Sequence, residues 1–353
     1  MTEEGSTISH LSVAMTTKEK DETQNVGGTS WSVDEFYLQL VVVMIGVAGT
    51  AGNALILYAL VASKQHKKHV LIVNQNALDL FSSFFLIVSF AVKLCNIRLV
   101  GMLGYWLCIT FISEFFVWLG LIASVVNLAI VTVDRYLKVV HHVWSKKWLR
   151  PWVIKSAMAF AWFAGFLTNA PFMLETTGVV DGVCYSWVLY KSYAARICSV
   201  IWYVVSFYII ILIIFVYCYG HILIVIRRQA RVMTSYNAAA SSSAQNQLNQ
   251  IQINVIKTMI LISAFYAVAW LPANVHYVFT IIDPNLTYLS SFWYASVVAA
   301  FLYTSANPFI YATKFNPVRR VLRDMLPCKK TSVQPTEDVP MTPARVRIAA
   351  PER

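Results

Sequence analysis

Apolar residues gather into seven long stretches along this chain, and polar or basic residues gather in the short connections between them. A helix that crosses a bilayer needs about 20 mainly apolar residues. The pattern predicts such helices over residues 37–62, 70–94, 106–140, 152–173, 195–226, 255–282 and 288–312. Each is apolar on most faces, which suits lipid on one side and a neighbouring helix on the other. The third and fifth are long enough to project beyond the bilayer. The predicted fold is an all-α integral membrane protein, a seven-transmembrane helix bundle.

Composition agrees. Of 353 residues, 58% are hydrophobic and 13% charged, whereas soluble domains carry about 25% charged and about 45–50% apolar residues. A formal net charge of +11 raises the question of nucleic acid. The basic residues sit in short clusters between apolar stretches, however, so no nucleic-acid partner is expected. They set the orientation instead. Lys64, Lys67, Lys68, Lys138, Lys146, Lys147, Arg150, Arg227, Arg228, Arg231 and Lys257 fall in the first, third and fifth connections or at the span ends beside them. Only Lys93, Arg98, Lys191 and Arg196 fall in the other three or at the span ends beside them. The richer side is expected to be cytoplasmic, with the N-terminus outside and the tail, bearing Lys314, Arg319, Arg320 and Arg323, inside. The polar N-terminal segment lacks a basic start followed by an apolar core, so no cleaved signal peptide is expected. The six cysteines form no C-x-x-C pair and keep no metal-like company with histidines, so no metal site is expected.

The expected organisation is an extracellular, disordered segment 1–36, a helical domain 37–314, a membrane-surface helix 315–328 and a disordered cytoplasmic tail 329–353. The surface helix follows from Phe315, Val318, Leu322 and Met325 at helical spacing with arginines between them. Cys328 after it either carries a palmitoyl chain or stays unmodified. Residues 237–250, rich in Ala, Ser, Asn and Gln, read as a flexible loop. Asn285-Leu286-Thr287 is a glycosylation acceptor in the third outer connection.

Polar groups inside a span are costly and by default mark function. Here they are Gly52-Asn53 in the first span, Asn74 and Asp79 in the second, and Asp134-Arg135-Tyr136 ending the third. Trp162 and Pro171 lie in the fourth, Tyr266 and Trp270-Leu271-Pro272 in the sixth, and Asn307-Pro308-Phe309-Ile310-Tyr311 in the seventh. In order, and in all but one helix, this series resembles the class A (rhodopsin-like) G-protein-coupled receptors, over roughly residues 37–328. The stretch 307–320 is similar to that of neuropeptide-type receptors.

The resemblance implies a receptor for an extracellular ligand, with a heterotrimeric G protein and arrestin as partners and the plasma membrane as its place. Asp134 would hold Arg135 in an inactive pose, and Arg135, Tyr136, Tyr219 and Tyr311 would form the coupling switch. The alternative is that Arg135 is a simple interfacial anchor that snorkels. Many such receptors hold this arginine with an acid at the foot of the sixth helix. Gln252 stands there, which implies basal signalling. Pro272 lets the sixth helix bend beside Trp270 and Tyr266. Asp79 would bind a sodium ion with Ser124, Thr304 and Asn307, near Asn53. Gly120 and Tyr303 stand where an amide is frequent, so a protonated or hydrated Asp79 is the alternative. A disulfide between Cys108 and Cys184 is implied. Two departures stand out. The interval from Cys108 to Arg135 is long, which implies a bulge or a different helix start. Ile211 replaces the usual proline of the fifth helix, which implies that the local bulge there is absent.

For the ligand, Val117 stands where amine receptors carry an aspartate, and Phe301 where opsins carry the retinal lysine. Amines and covalent retinal are therefore not expected. Trp270, Asn274 and Tyr277 share one helical face, pointing into a ligand cavity or packing as core. Glu114, Glu175, Arg196, Trp118 and Tyr277 suit a charged peptide, unless Glu114 and Arg196 pair with each other or face water. Three functions compete. The first is a signalling receptor, which is not an enzyme. The second is a scavenger receptor that internalises ligand through arrestin, with Thr331, Ser332 and Thr336 as phosphorylation sites in either case. The third is a channel or transporter, for which no internal repeat is found.

Overall fold

The computed structural model describes residues 33–95, 97–186, 189–235, 243–282 and 291–325. Cys328 and Asn285, the N-terminal segment to residue 32, the tail and the side chain of Gln252 lie outside the described residues.

The spans form a helical bundle. The first is Val33–Ala62 and the second Val70–Leu94. The third runs through Gly101–Leu107, Cys108–Ile112 and Phe115–Val140. A short helix, His142–Trp148, leads into the fourth, Pro151–Thr176. The hairpin of β1 (Gly178–Val180) and β2 (Val183–Tyr185) precedes the fifth span, which comprises Tyr193–Tyr203, Val204–Ile209 and Ile210–Ser235. The sixth is Ser243–Ile282, the seventh Ser291–Lys314, and a terminal helix covers Asn316–Met325. Among the described residues six helices are long and apolar enough to cross a membrane. The seventh is more polar, because it carries Ser296, Thr304, Ser305 and Asn307 inward. It packs between the first and sixth, while the third packs against the second, fourth and fifth.

Close approach depends on small residues. A Cβ on Gly120 would stand 2.8 Å from Cβ of Ser82, and one on Gly52 2.9 Å from Pro308. Gly120 therefore lacks a side chain because the second and third spans meet there.

The expected irregularity after Cys108 is present. Residues 108–112 form a wide π-helical turn, and Glu114 takes a left-handed conformation with φ of 60°. Together these absorb the extra residues before the regular helix starts at Phe115. Ser113 Oγ donates to the Cys108 carbonyl at 2.8 Å across the break. The disulfide joins Cys108 to Cys184, which stands opposite Val179 in the hairpin. Asp181 and Gly182, with φ of 54° and 83°, make the two-residue turn that such hairpins favour.

Two expectations are corrected. The fifth span has a bulge without proline, since residues 204–209 are π-helical just before Ile211. Side chains secure it. Tyr266 Oη donates to the Phe207 carbonyl inside the wide turn, and Tyr208 Oη donates to the Ala267 carbonyl at 2.8 Å. A neighbouring helix thus does what a missing N–H would do. The stretch 237–250 is not wholly a loop, because the sixth helix already begins at Ser243. Ala, Gln and Leu are good helix formers, and they prolong the helix beyond its apolar part. The terminal helix is tied to the bundle as well as amphipathic: Phe315 and Val318 are buried, and the His69 ring meets Phe315 edge-on at 5.3 Å.

Candidate functional site

Towards the hairpin end, the third, fifth and sixth spans enclose a narrow cleft. It is lined by Leu121, Ile122, Val125, Tyr203, Phe207, Tyr266, Trp270 and Asn274. Trp270 and Tyr266 are buried beside each other, with ring centres 6.2 Å apart. Trp118 stands edge-on to Trp270 and tilted against Phe301. Tyr277 packs on Tyr203 and Trp293. Pro272 removes an N–H from the sixth helix, and Asn274 Nδ2 donates to the Trp270 carbonyl at 2.8 Å across that region. Trp270 Nε1 and Asn274 Oδ1 are buried with no hydrogen-bond partner among the described residues.

The charged candidates stand apart from this cleft. Glu114 pairs with Lys93 at 2.5 Å, not with Arg196. Its left-handed backbone sets it off the helix that starts at Phe115, towards the second span. Glu175 is exposed and pairs with Lys191 at 3.1 Å. Arg196 is half-buried in the first turn of the fifth span. Val117 is buried in the core and does not line the cleft.

Below the cleft lies a polar core. Asp79 is fully buried. Its Oδ1 accepts from Ser124 Oγ at 2.6 Å and its Oδ2 from Asn307 Nδ2 at 2.7 Å. Gln75 donates to Ser124 at 2.5 Å, and Asn127 donates to Gln75 at 2.8 Å. Asn74 donates to Asn127 at 2.9 Å and accepts from Trp162 Nε1 at 3.2 Å. Asn53 donates to the Gly49 and Thr304 carbonyls, tying the first span to the seventh. Thr304 turns its hydroxyl to the Phe301 carbonyl, away from Asp79. Tyr303, next to Thr304, is buried and meets Tyr266 edge-on at 5.6 Å, joining core to cleft.

At the basic end, Asp134 is buried. Lys138 Nζ lies 2.8 Å from its Oδ1 and donates to its Oδ2 at 2.9 Å. Arg135 Nε is farther away, 3.5 Å from Oδ2. Tyr219 Oη bonds Thr132 at 2.9 Å and accepts from Ser263 at 3.3 Å. Tyr311 is buried with its hydroxyl unpartnered among the described residues. Tyr136 Oη lies 3.2 Å from His141 Nε2. His69 faces the same cluster. Burial, then the charges of Arg135, Lys138 and Lys68, push its imidazole down to about 4.

Sequence reasoning missed several of these residues. Lys138 was readable from its i, i+4 spacing to Asp134. Gln75, one turn before Asp79, and Asn127 were readable as polar groups in a span. Lys93 was readable as a cation inside the second span, whereas Tyr203 and Phe207 carried no local signal, because they reach the site only through packing between helices.

Comparison with known proteins agrees with this architecture. The family described as 7 transmembrane receptor (rhodopsin family) matches residues 52–311. Melanopsin-A of Gadus morhua is 26% identical over 304 residues, covering 81% of this chain and 51% of its own. Galanin receptor 2a of Danio rerio is 22% identical, covering 86% and 82%. Somatostatin receptor type 5 of Rattus norvegicus is 24% identical, covering 90% and 87%. The chain spans only 51% to 62% of the length of three melanopsins it matches. With the matched family covering most of the bundle, from Gly52 in the first span to Tyr311 in the seventh, the chain belongs to the rhodopsin family of seven-transmembrane receptors.

Proposed function

We propose that this chain is a plasma-membrane receptor that binds an extracellular ligand in the aromatic cleft and activates a heterotrimeric G protein at its basic end. Its N-terminus lies outside and its basic connections lie in the cytoplasm. The reading is carried by one observation: Trp270 Nε1 and Asn274 Oδ1, one donor and one acceptor, are buried unpartnered in the cleft. A buried polar group left unsatisfied costs about 1–3 kcal/mol, and a ligand offering an acceptor and a donor removes that cost. An amide does both, and the cleft's aromatic walls suit an apolar side chain beside it. This favours a peptide, as do the relatives named galanin and somatostatin receptors. The paired Glu114–Lys93 and Glu175–Lys191 groups and Arg196 would meet its charged parts. Melanopsin relatives do not carry covalent retinal to this chain, because Phe301 occupies the lysine position and packs on Trp118.

Ligand contacts at Trp270 would reach Tyr266, Tyr303 and the Asp79 core through packed rings. Outward motion of the sixth helix at Pro272 would break the Ser263–Tyr219 bond, leaving Thr132 as the remaining tie that Tyr219 exchanges for Tyr311. Arg135, loosely held by Asp134, would then swing into the G-protein cavity. The side chains around Asp79 fit hydrogen bonding better than sodium. Asn307 turns its N–H to Asp79, Thr304 is turned away, Gly120 has no room for a side chain, and among the described residues Ser124 is the one that brings a side-chain oxygen into contact with Asp79. Replacing sodium by a large organic cation is therefore expected to leave the melting temperature unchanged, and a clear drop would restore the ion.

The decisive experiment is a G-protein activation panel in cells, with and without a peptide library, comparing this chain with Arg135→Ala. A signal lost in Arg135→Ala is expected. No signal from a well-expressed surface protein would favour the scavenger reading, with ligand uptake and arrestin recruitment as the next assays.

A further inference from the structure

The short helix His142–Trp148 and the start of the fourth span carry an unusual surface. Val143, Trp144, Trp148 and Trp152 are 79%, 67%, 63% and 64% exposed. At 100° per residue, Val143, Trp144, Lys147 and Trp148 share one arc of the helix. Ser145 points the other way, is buried, and donates to the His142 carbonyl at 2.8 Å. The helix is thus seated by its polar side and turns its tryptophans outward. The charge along this stretch of chain has one sign. Lys146, Lys147, Arg150 and Lys155 are exposed, and no Asp or Glu occurs between Asp134 and Glu175. An exposed tryptophan face in water is unfavourable. Tryptophan settles at the level of lipid headgroups, where an apolar body and a polar N–H are both satisfied. Cations beside it attract acidic lipid, each contributing about 1 kcal/mol near the surface.

We propose that this segment is an acidic-phospholipid docking surface: Trp144 and Trp148 insert at the cytoplasmic headgroup level, and Lys146, Lys147 and Arg150 hold anionic headgroups such as phosphatidylserine. It rests on the orientation proposed above, but not on any ligand or coupling partner. A G protein is the rival occupant. Acidic lipid is favoured because the unbroken positive charge matches an anionic sheet and the tryptophans continue to Trp152 at the end of a lipid-facing span. Bound there, the lipid would fix the helix that follows Asp134-Arg135-Tyr136 and so bias the coupling end.

The test uses the full chain in nanodiscs. Tryptophan emission of the Trp144→Phe/Trp148→Phe variant is subtracted from that of the parent, isolating these two rings. Brominated phosphatidylserine and brominated phosphatidylcholine are then titrated as quenchers. Half-quenching is expected at a clearly lower mole fraction of the serine lipid, with that preference reduced about fivefold per cation removed and lost in Lys146→Gln/Lys147→Gln/Arg150→Gln. Equal quenching by both lipids, or a preference that survives neutralisation, would overturn the proposal. So would an absence of quenching by either lipid together with an emission change on adding purified G protein, which would give the face to that partner. None of these readouts needs ligand or signalling, so their failure is separable from failure of the receptor reading.

Discussion

The two ends of the bundle are built differently. At the hairpin end the backbone is irregular: two π-helical turns, a left-handed Glu114 and a two-stranded hairpin. Yet that irregular backbone is fastened. The disulfide ties hairpin to third span, Glu114 and Glu175 hold lysines, and tyrosine hydroxyls close on carbonyls around the bulge. At the basic end the helices are regular, but among the described residues the arginine there is loosely tied. Arg135 sits 3.5 Å from its acid, which prefers Lys138, and Tyr311 has an unpartnered hydroxyl among the described residues. The contrast suits a molecule that recognises shape at one end and moves at the other. Irregular backbone gives a shaped cleft only when fixed, whereas weakly tied side chains let regular helices slide.

The largest expected effect comes from unfastening the irregular end. The Cys108→Ser/Cys184→Ser protein should lose on the order of 2–4 kcal/mol, seen as a marked fall in melting temperature and in surface expression. An unchanged melt would mean that the hairpin is held by packing alone. Next, Tyr266→Phe removes the hydroxyl from the Phe207 carbonyl and should cost about 1 kcal/mol by thermal melting. Because Tyr266 lines the cleft, ligand potency should fall with it. A neutral Tyr266→Phe would show that the bulge needs no side-chain tie.

At the movable end the effects are smaller on stability and larger on signal. Lys138→Gln should change stability by less than about 0.5 kcal/mol. It should also lower basal G-protein activation, because Asp134 is then free to close on Arg135. A rise in basal activity would show instead that Lys138 helps to hold the resting state. The last effect is a pH dependence, which shows only in acid. His69 is held below its ordinary value of 6.5, down to about 4, by burial and by neighbouring cations. The unfolded chain therefore takes up a proton before the folded one does, and stability falls as pH drops from 6.5 to about 4. His69→Gln should flatten that part of the melting-temperature profile, and identical profiles would sever His69 from the cluster.

The bundle was legible in the chain because a bilayer imposes a length and a polarity that each span must meet by itself. The second span was read at its observed bounds for that reason. Asn53, Asp79 and Asn307 announced themselves as polar groups in apolar surroundings. Their partners did not. That Glu114 would meet Lys93 and not Arg196, that Tyr266 would secure a bulge at Phe207 without proline, and that Trp270 and Asn274 would each leave a polar atom open in one cleft are facts of contact between helices. A local sequence carries period, polarity and backbone preference. It does not carry the rotation and depth at which one helix packs on another, and those decide which side chains meet.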